Sequence, residues 1–417
     1  MGIKYRLIVM SFLQFFVWGT WLITVSNYWF ITKGWSGADF GWVFFTLGLS
    51  SLIMPALTGI IADRWVNAER LYGILHILGG LALACIPAVN HPGTFFWVIF
   101  AAMLCYMPTI ALSNSVAYNI LKTNGFDVIK VFPPIRVWGT IGFIVAMWVT
   151  NLTGNKAAAN QFYVAAVVAV LLGVYSFTLP KCPPLKSTEK GAPMMELLGL
   201  SAFKLFGNYK IALFFVFSMF LGGALQLTNM YGDVYLSDFA SVPKYSDSFV
   251  VKYSTIILSI SQISETLFIL AIPFFLKRFG IKMVMLISML AWVLRFGFFA
   301  YGNPAGGLWM IVLSCIVYGM AFDFFNISGS LFIETTTDSK IRSSAQGLFM
   351  MMTNGFGSIF GSLASGYVID RFFTHNGAKD WHGIWLSFAA YALVIAIAFA
   401  VMFKHKHDPE VTENYSH

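Results

Sequence analysis

Charge is what this sequence has least of. Of its 417 residues, 11% are Asp, Glu, Lys or Arg, against roughly 25% in soluble domains. With 58% hydrophobic residues and a mean hydropathy of +0.74, a water-facing globular surface is excluded. Cysteine is scarce too. Cys85, Cys105, Cys182 and Cys315 show no metal or redox spacing, and three lie in apolar runs, which argues against a disulfide framework. The seven histidines (His76, His91, His375, His382, His405, His407 and His417) form no HExxH pattern. No nucleophile–base constellation or nucleotide-binding loop is present. An enzyme, a metal site, a bound cofactor and an ATP-driven pump are therefore not expected. The net charge of +8 is dispersed over short loops, so nucleic acid is not an expected partner.

Long apolar runs are what the sequence does have. A spanning helix needs about 20 predominantly apolar residues. Such stretches occur near 7–31, 38–62, 71–89, 94–121, 131–152, 160–179, 211–235, 253–275, 283–301, 308–332, 343–372 and 383–403. The first follows Lys4 and Arg6, but is too long for a signal-peptide core and lacks a small-x-small cleavage site. It reads as an uncleaved first span. The 42 Phe and 13 Trp suit a lipid-facing surface and interfacial belts. The expected fold is an all-α integral membrane protein of twelve transmembrane helices.

The longest polar break, 181–210, falls between spans six and seven and holds Pro183, Pro184, Lys186, Ser187, Thr188, Glu189 and Lys190. The layout is an N-terminal six-helix bundle (1–180), a cytoplasmic central loop (181–210) and a C-terminal six-helix bundle with a short tail (211–417). Within the loop, 195–206 is amphipathic and expected on the membrane surface. With the N-terminus inside, eighteen Lys and Arg fall in cytoplasmic segments and six outside. The positive-inside rule then places both termini and the central loop in the cytoplasm.

Well inside the spans, away from their ends, stand Arg136, Glu265, Arg295 and Asp323. Such residues are costly in lipid and face a bundle interior or a watery path. Polar and aromatic residues accompany them at helical spacing. Span five carries Arg136, Thr140 and Phe143; span seven carries Gln226 and Asn229; span eight carries Gln262 and Glu265; span ten carries Tyr318, Phe322 and Asp323. Carboxamides, a carboxylate and aromatic faces suit a flat, polyhydroxylated or heteroaromatic solute. Interhelical hydrogen bonding is the alternative role for the amides, and snorkelling from the cytoplasmic end is the alternative for Arg136. Counting along spans nine and ten puts Arg295 and Asp323 at a similar depth of roughly 15–20 Å, so an internal ion pair is expected there, either structural or broken during transport. Glu265 is the first candidate proton carrier, since a carboxylic acid in a low-dielectric cavity holds a proton near neutral pH and releases it when hydrated or paired. Asp323 is the second.

Motifs then suggest a family. Gly59-Ile-Ile-Ala-Asp63-Arg64 resembles the loop signature of the major facilitator superfamily, with a weaker echo in Lys277-Arg278-Phe279-Gly280-Ile281-Lys282. Three longer segments, Phe132-Pro-Pro-Ile-Arg136-Val-Trp-Gly139-Thr140-Ile-Gly142-Phe143, Ile260-Ser-Gln262-Ile-Ser-Glu265 and Tyr318-Gly-Met-Ala-Phe322-Asp323-Phe-Phe-Asn326, closely resemble bacterial nucleoside:proton symporters of the nucleoside and xanthosine permease type. The resemblance covers nearly the whole chain. It implies two six-helix bundles in the major facilitator fold, with purine and pyrimidine nucleosides imported across the inner membrane by alternating access. The proton gradient is then the driving force, no protein partner is obligatory, and both termini are cytoplasmic. The resemblance also implies a nucleoside between the halves, bound by Arg136, Thr140, Phe143, Gln226, Asn229, Gln262, Glu265, Tyr318 and Phe322. The Arg136-x-x-Gly139-x-x-Gly142 pattern and the span-eight glutamate also resemble sugar:proton symporters, so a sugar or oligosaccharide is the alternative cargo.

Overall fold

The computed structural model describes residues 2–184, 200–338 and 341–405. Each apolar stretch forms a helix. Span one is Ile3–Gly19, continued by Val25–Asn27 and Tyr28–Thr32; span two is Gly37–Arg64; three, Ala68–Cys85; four, Pro92–Thr123; five, Val128–Leu152; six, Asn160–Ser176. Span seven is Tyr209–Asp238; eight and nine share Ser254–Tyr301; ten is Leu308–Thr336; eleven runs from Arg342–Met350 through Met351–Phe356 to Gly357–Phe372; twelve is Trp381–Met402. Eight of these helices are long and apolar enough to cross a membrane. One of the eight, Ser254–Tyr301, supplies two spans because Gly280 breaks it at φ 72°, ψ 170°, a conformation that side chains with a Cβ avoid.

Backbone that leaves the helix inside a membrane must find partners within the protein. Span one does this between Gly19 and Val25. The Thr20 carbonyl accepts from Thr150 Oγ1 at 3.1 Å, and Thr24 Oγ1 donates to Gln161 Oε1 at 2.8 Å. Spans five and six thus stitch the break. In span eleven a π-helical turn, Met351–Phe356, is held partly by Thr353 Oγ1 donating to the Phe349 carbonyl at 3.0 Å.

The chain divides into two compact units, Met1–Leu198 and Gly199–His417. Within the first, spans one and five meet backbone to backbone, because a Cβ on Gly142 would overlap the Phe12 carbonyl and one on Gly19 the Phe143 carbonyl. Within the second, spans seven and eleven do the same through Gly222, Gly223, Gly357 and Gly361. Outward residues such as Val167, Leu171, Leu270 and Val394 are exposed and apolar, as a lipid solvent requires.

The loops bring one correction, in the expected surface helix. In the superfamily-like segment that ends span two, Gly59 has open space around it and Asp63 is exposed. In the first turn of the next span, the Glu69 carboxylate accepts from the Cys182 backbone N–H at 2.8 Å while Ala68 N–H donates to the Cys182 carbonyl at 3.1 Å. The chain leaving span six is thereby pinned to the start of span three. Of the expected surface helix, 195–199 lie outside the described residues, and Leu200–Gly207 form a 3-10 helix. Between spans eleven and twelve, Thr374–His375 pairs with Ala378–Lys379. Asn376 and Gly377 at φ 51° and 81° make the tight turn that an Asn-Gly pair favours.

Candidate functional site

In the N-terminal unit the predicted residues line up along span five. The Arg136 guanidinium carbon lies 4.0 Å from the centre of the Phe15 ring on span one. Arg136 is half-buried and is seated on an aromatic face within the bundle, with no need to snorkel. Gly139 makes the room, since a Cβ there would come within 2.7 Å of both the Arg136 head and the Phe15 ring. Thr140, one turn on, is half-buried, and Phe143 is buried.

Beside Phe15 stands a polar cluster that sequence reasoning missed. Gln14 is fully buried. Its Oε1 accepts from Tyr72 OH at 2.7 Å and lies 2.8 Å from His76 Nε2. Its Nε2 donates to Thr109 Oγ1 at 2.9 Å, and its backbone carbonyl accepts from Tyr106 OH at 2.8 Å. With Tyr72 already donating to Oε1, this arrangement assigns the His76 proton to Nε2. Tyr106 stacks on Trp18 at 4.7 Å. Spans one, three and four are joined here through one carboxamide. The available signal was two short polar stripes, Tyr72 with His76 and Tyr106 with Thr109, each at helical spacing.

In the C-terminal unit Arg295 is the corresponding hub. It is buried, donating from Nε to Thr228 Oγ1 at 3.1 Å and from a terminal nitrogen to Ser261 Oγ at 3.3 Å and the Ser314 carbonyl at 2.8 Å. The expected Arg295–Asp323 ion pair is not formed. Arg295 is level with Ser314, and Ser288 is level with Ala321 through a 2.6 Å hydrogen bond. Asp323 therefore lies nine residues, about 13 Å, further along span ten. The equal-depth argument failed because span ten continues to Thr336, well past the level where span nine begins at Gly280.

Tyr318 and Phe322 stack nearly parallel, with ring centres 6.0 Å apart and planes 7° apart, and Trp292 meets Tyr318 edge-on at 5.8 Å. Phe322 lines a small pocket with Leu225, Trp292, Asn326, Thr353 and Asn354. Its volume of about 20 Å³ holds a water molecule at most. Trp292, Thr353 and Asn354 were not among the predicted residues. The Ser264–Glu265 backbone lies against Gly319, where a Cβ would approach to 2.7–2.8 Å. This sets Glu265, half-buried, beside the Tyr318–Phe322 turn. The Glu265 and Asp323 carboxyls are close enough to interact electrostatically.

Several buried acceptors here have no hydrogen-bond partner: Gln226 Oε1, Gln262 Oε1 and Asp323 Oδ2. Gln226 and Asp323 are buried, while Gln262 and Asn229 are half-buried on spans eight and seven. Native proteins leave few such atoms unpaired, and an unsatisfied buried acceptor costs roughly 1–3 kcal/mol. At these three predicted site residues a ligand and a proton would relieve the deficit.

Comparison with known proteins identifies the family. The family model described as "Nucleoside H+ symporter" matches residues 1–408. The chain is 52% identical over 411 residues to xanthosine permease of Escherichia coli (strain K12), covering 98% of each chain. It is 49% identical over 420 residues to nucleoside permease NupG of the same organism, covering 100% of each. A crystal structure of the D323A mutant of nucleoside transporter NupG superposes with a TM-score of 0.94, covering 97% of this chain and 100% of that one. The protein is a multi-pass membrane transporter of the major facilitator fold, not an enzyme, and it belongs to the nucleoside:proton symporter family.

Proposed function

We propose that the unpaired acceptors of Gln226 and Gln262 take ribose hydroxyl or base N–H donors, and that Glu265 and Asp323 share the coupled proton. The observation that carries this reading is the set of unsatisfied buried oxygens, each a site where a bound donor recovers a lost hydrogen bond. Tyr318 and Phe322, already parallel, offer a face on which a base stacks. Arg136, Thr140 and Phe143 on span five, with Asn229 on span seven, complete the binding set. Two neighbouring carboxyls in a low-dielectric site do not both carry charge, so the Glu265–Asp323 pair holds a proton while loaded and releases it on hydration.

The cargo includes purine and pyrimidine nucleosides, driven inward by the proton gradient across a bacterial inner membrane, with both termini cytoplasmic. Alternating access of the two units needs no cofactor and no second chain. Uptake into proteoliposomes, with a nucleoside panel and with or without an imposed proton gradient, tests the reading. Uphill accumulation of nucleosides that collapses without the gradient is expected, and Gln226→Ala or Gln262→Ala should raise the half-saturating concentration about tenfold. Uptake indifferent to the gradient, or wild-type affinity in both variants, would sink it.

A further inference from the structure

We propose that the N-terminal unit carries a phospholipid headgroup site, selective for phosphatidylethanolamine, that is separate from the transport pathway. A cleft of about 310 Å³ opens where span one ends and spans two and four begin. Its lining includes three indoles and a phenyl ring, Trp29, Trp42, Trp97 and Phe96, around one carboxylate, Asp39. Asp39 stands in the first turn of span two, and Pro92 and Gly93 in the first turn of span four. These helix ends lie at the level where hydrocarbon gives way to headgroups. Trp42 and Trp97 are 45% and 67% exposed, so the mouth of the cleft opens towards lipid.

The walls are held in place before any ligand arrives. Trp29 is buried and donates from Nε1 to the Ser36 carbonyl at 2.7 Å. Asp39 is fixed by reciprocal bonds with Ser36, its Oδ2 accepting from Ser36 Oγ at 2.8 Å and its N–H donating to that oxygen at 3.2 Å. Lys33, in the adjoining loop, is engaged with the Val89 carbonyl at 2.7 Å and Asn90 Oδ1 at 3.0 Å. It does not neutralise Asp39.

An aromatic box with a carboxylate attracts an organic cation, and the cation available at a bilayer surface is a lipid ammonium. A primary ammonium brings three N–H donors for the second oxygen of Asp39, whereas a trimethylammonium brings none. That selects phosphatidylethanolamine over phosphatidylcholine, and the negative charge of Asp39 repels phosphatidylglycerol. The N-termini of spans two and four border the same cleft and suit the phosphate of the zwitterion.

The test uses the purified full-length protein in detergent. It is offered matched-chain phosphatidylethanolamine, phosphatidylcholine or phosphatidylglycerol, and native mass spectrometry counts the lipid retained. The wild type should retain phosphatidylethanolamine about fivefold over the other two, the margin of the ammonium N–H bond to Asp39. Asp39→Asn should erase that preference, and Trp97→Leu should weaken it, with lipid-free melting temperatures unchanged in both. Equal retention of phosphatidylcholine by the wild type would overturn the proposal whatever the variants do. A wild-type preference kept by Asp39→Asn would overturn it as well.

Discussion

The guanidinium carbon of Arg295 lies 4.6 Å from the centre of the Tyr318 ring. That ring in turn stacks on Phe322, which lines the pocket of the C-terminal unit. Arg295 thus acts one residue removed from the site. It sets the Tyr318 plane, and the Tyr318 plane sets Phe322.

Replacing Arg295 by Lys keeps the charge and discards the planar fork. The bonds to Thr228, Ser261 and the Ser314 carbonyl cannot all be remade by a single ammonium. A loss of about 2–3 kcal/mol is expected, read as a lower melting temperature in detergent, together with weaker nucleoside binding as Tyr318 loosens. A variant that melts with the wild type would refute the hub.

Asp323→Asn should separate coupling from movement. Gradient-driven accumulation is expected to disappear while nucleoside exchange at equal pH continues, because an amide mimics the protonated carboxyl without releasing its proton. Counterflow and pH-jump uptake in the same vesicles measure the two properties. Full accumulation by Asp323→Asn would leave Glu265 alone as carrier, with Glu265→Gln as the matching assay.

The helix crossings make a paired prediction. Gly142→Ala forces a methyl into the Phe12 carbonyl and should cost about 1–3 kcal/mol through overpacking. Gly59→Ala meets open space and should melt within error of the wild type or slightly above it. Thermal scans of the two single variants decide this.

The Cys182 thiol lies where the chain leaves span six. Burial, and secondarily the charge of Glu69, pushes it up to about 12. The unfolded chain ionises nearer the ordinary value of 9.0. Between about pH 9 and pH 12 the unfolded state therefore holds fewer protons, and stability falls as pH rises. The difference between wild type and Cys182→Ala is accordingly the quantity to follow. The variant should lose less melting temperature between pH 8 and pH 10.

Most of the architecture was legible because hydropathy over 20 residues is a large signal, and lipid permits little besides helices. The interruption after Gly19 was not. Trp21, Leu22 and Ile23 are as apolar as any helix, and the partners that allow the break, Thr150 and Gln161, lie more than a hundred residues away. Arg136, Glu265 and Asp323 stood out as charges in apolar runs. Gln14 and His76 did not, since a single amide or imidazole in a span has no distinctive spacing. Their joint role exists only after spans one, three and four have packed. The Arg295–Asp323 error has the same root, because depth was counted from sequence ends whose heights only the fold reveals.

Where spans one and five cross, the Gly142 Cα faces the Phe12 carbonyl with no side chain between them. Two helices in main-chain contact have nothing compressible to slide upon. Three residues along, Phe15 carries the Arg136 guanidinium, and the Gln14 carboxamide next to it grips spans three and four. A displacement of Arg136 therefore recruits four helices at once. Arg136 rides on a lever, and the stroke of that lever is shared by those four helices.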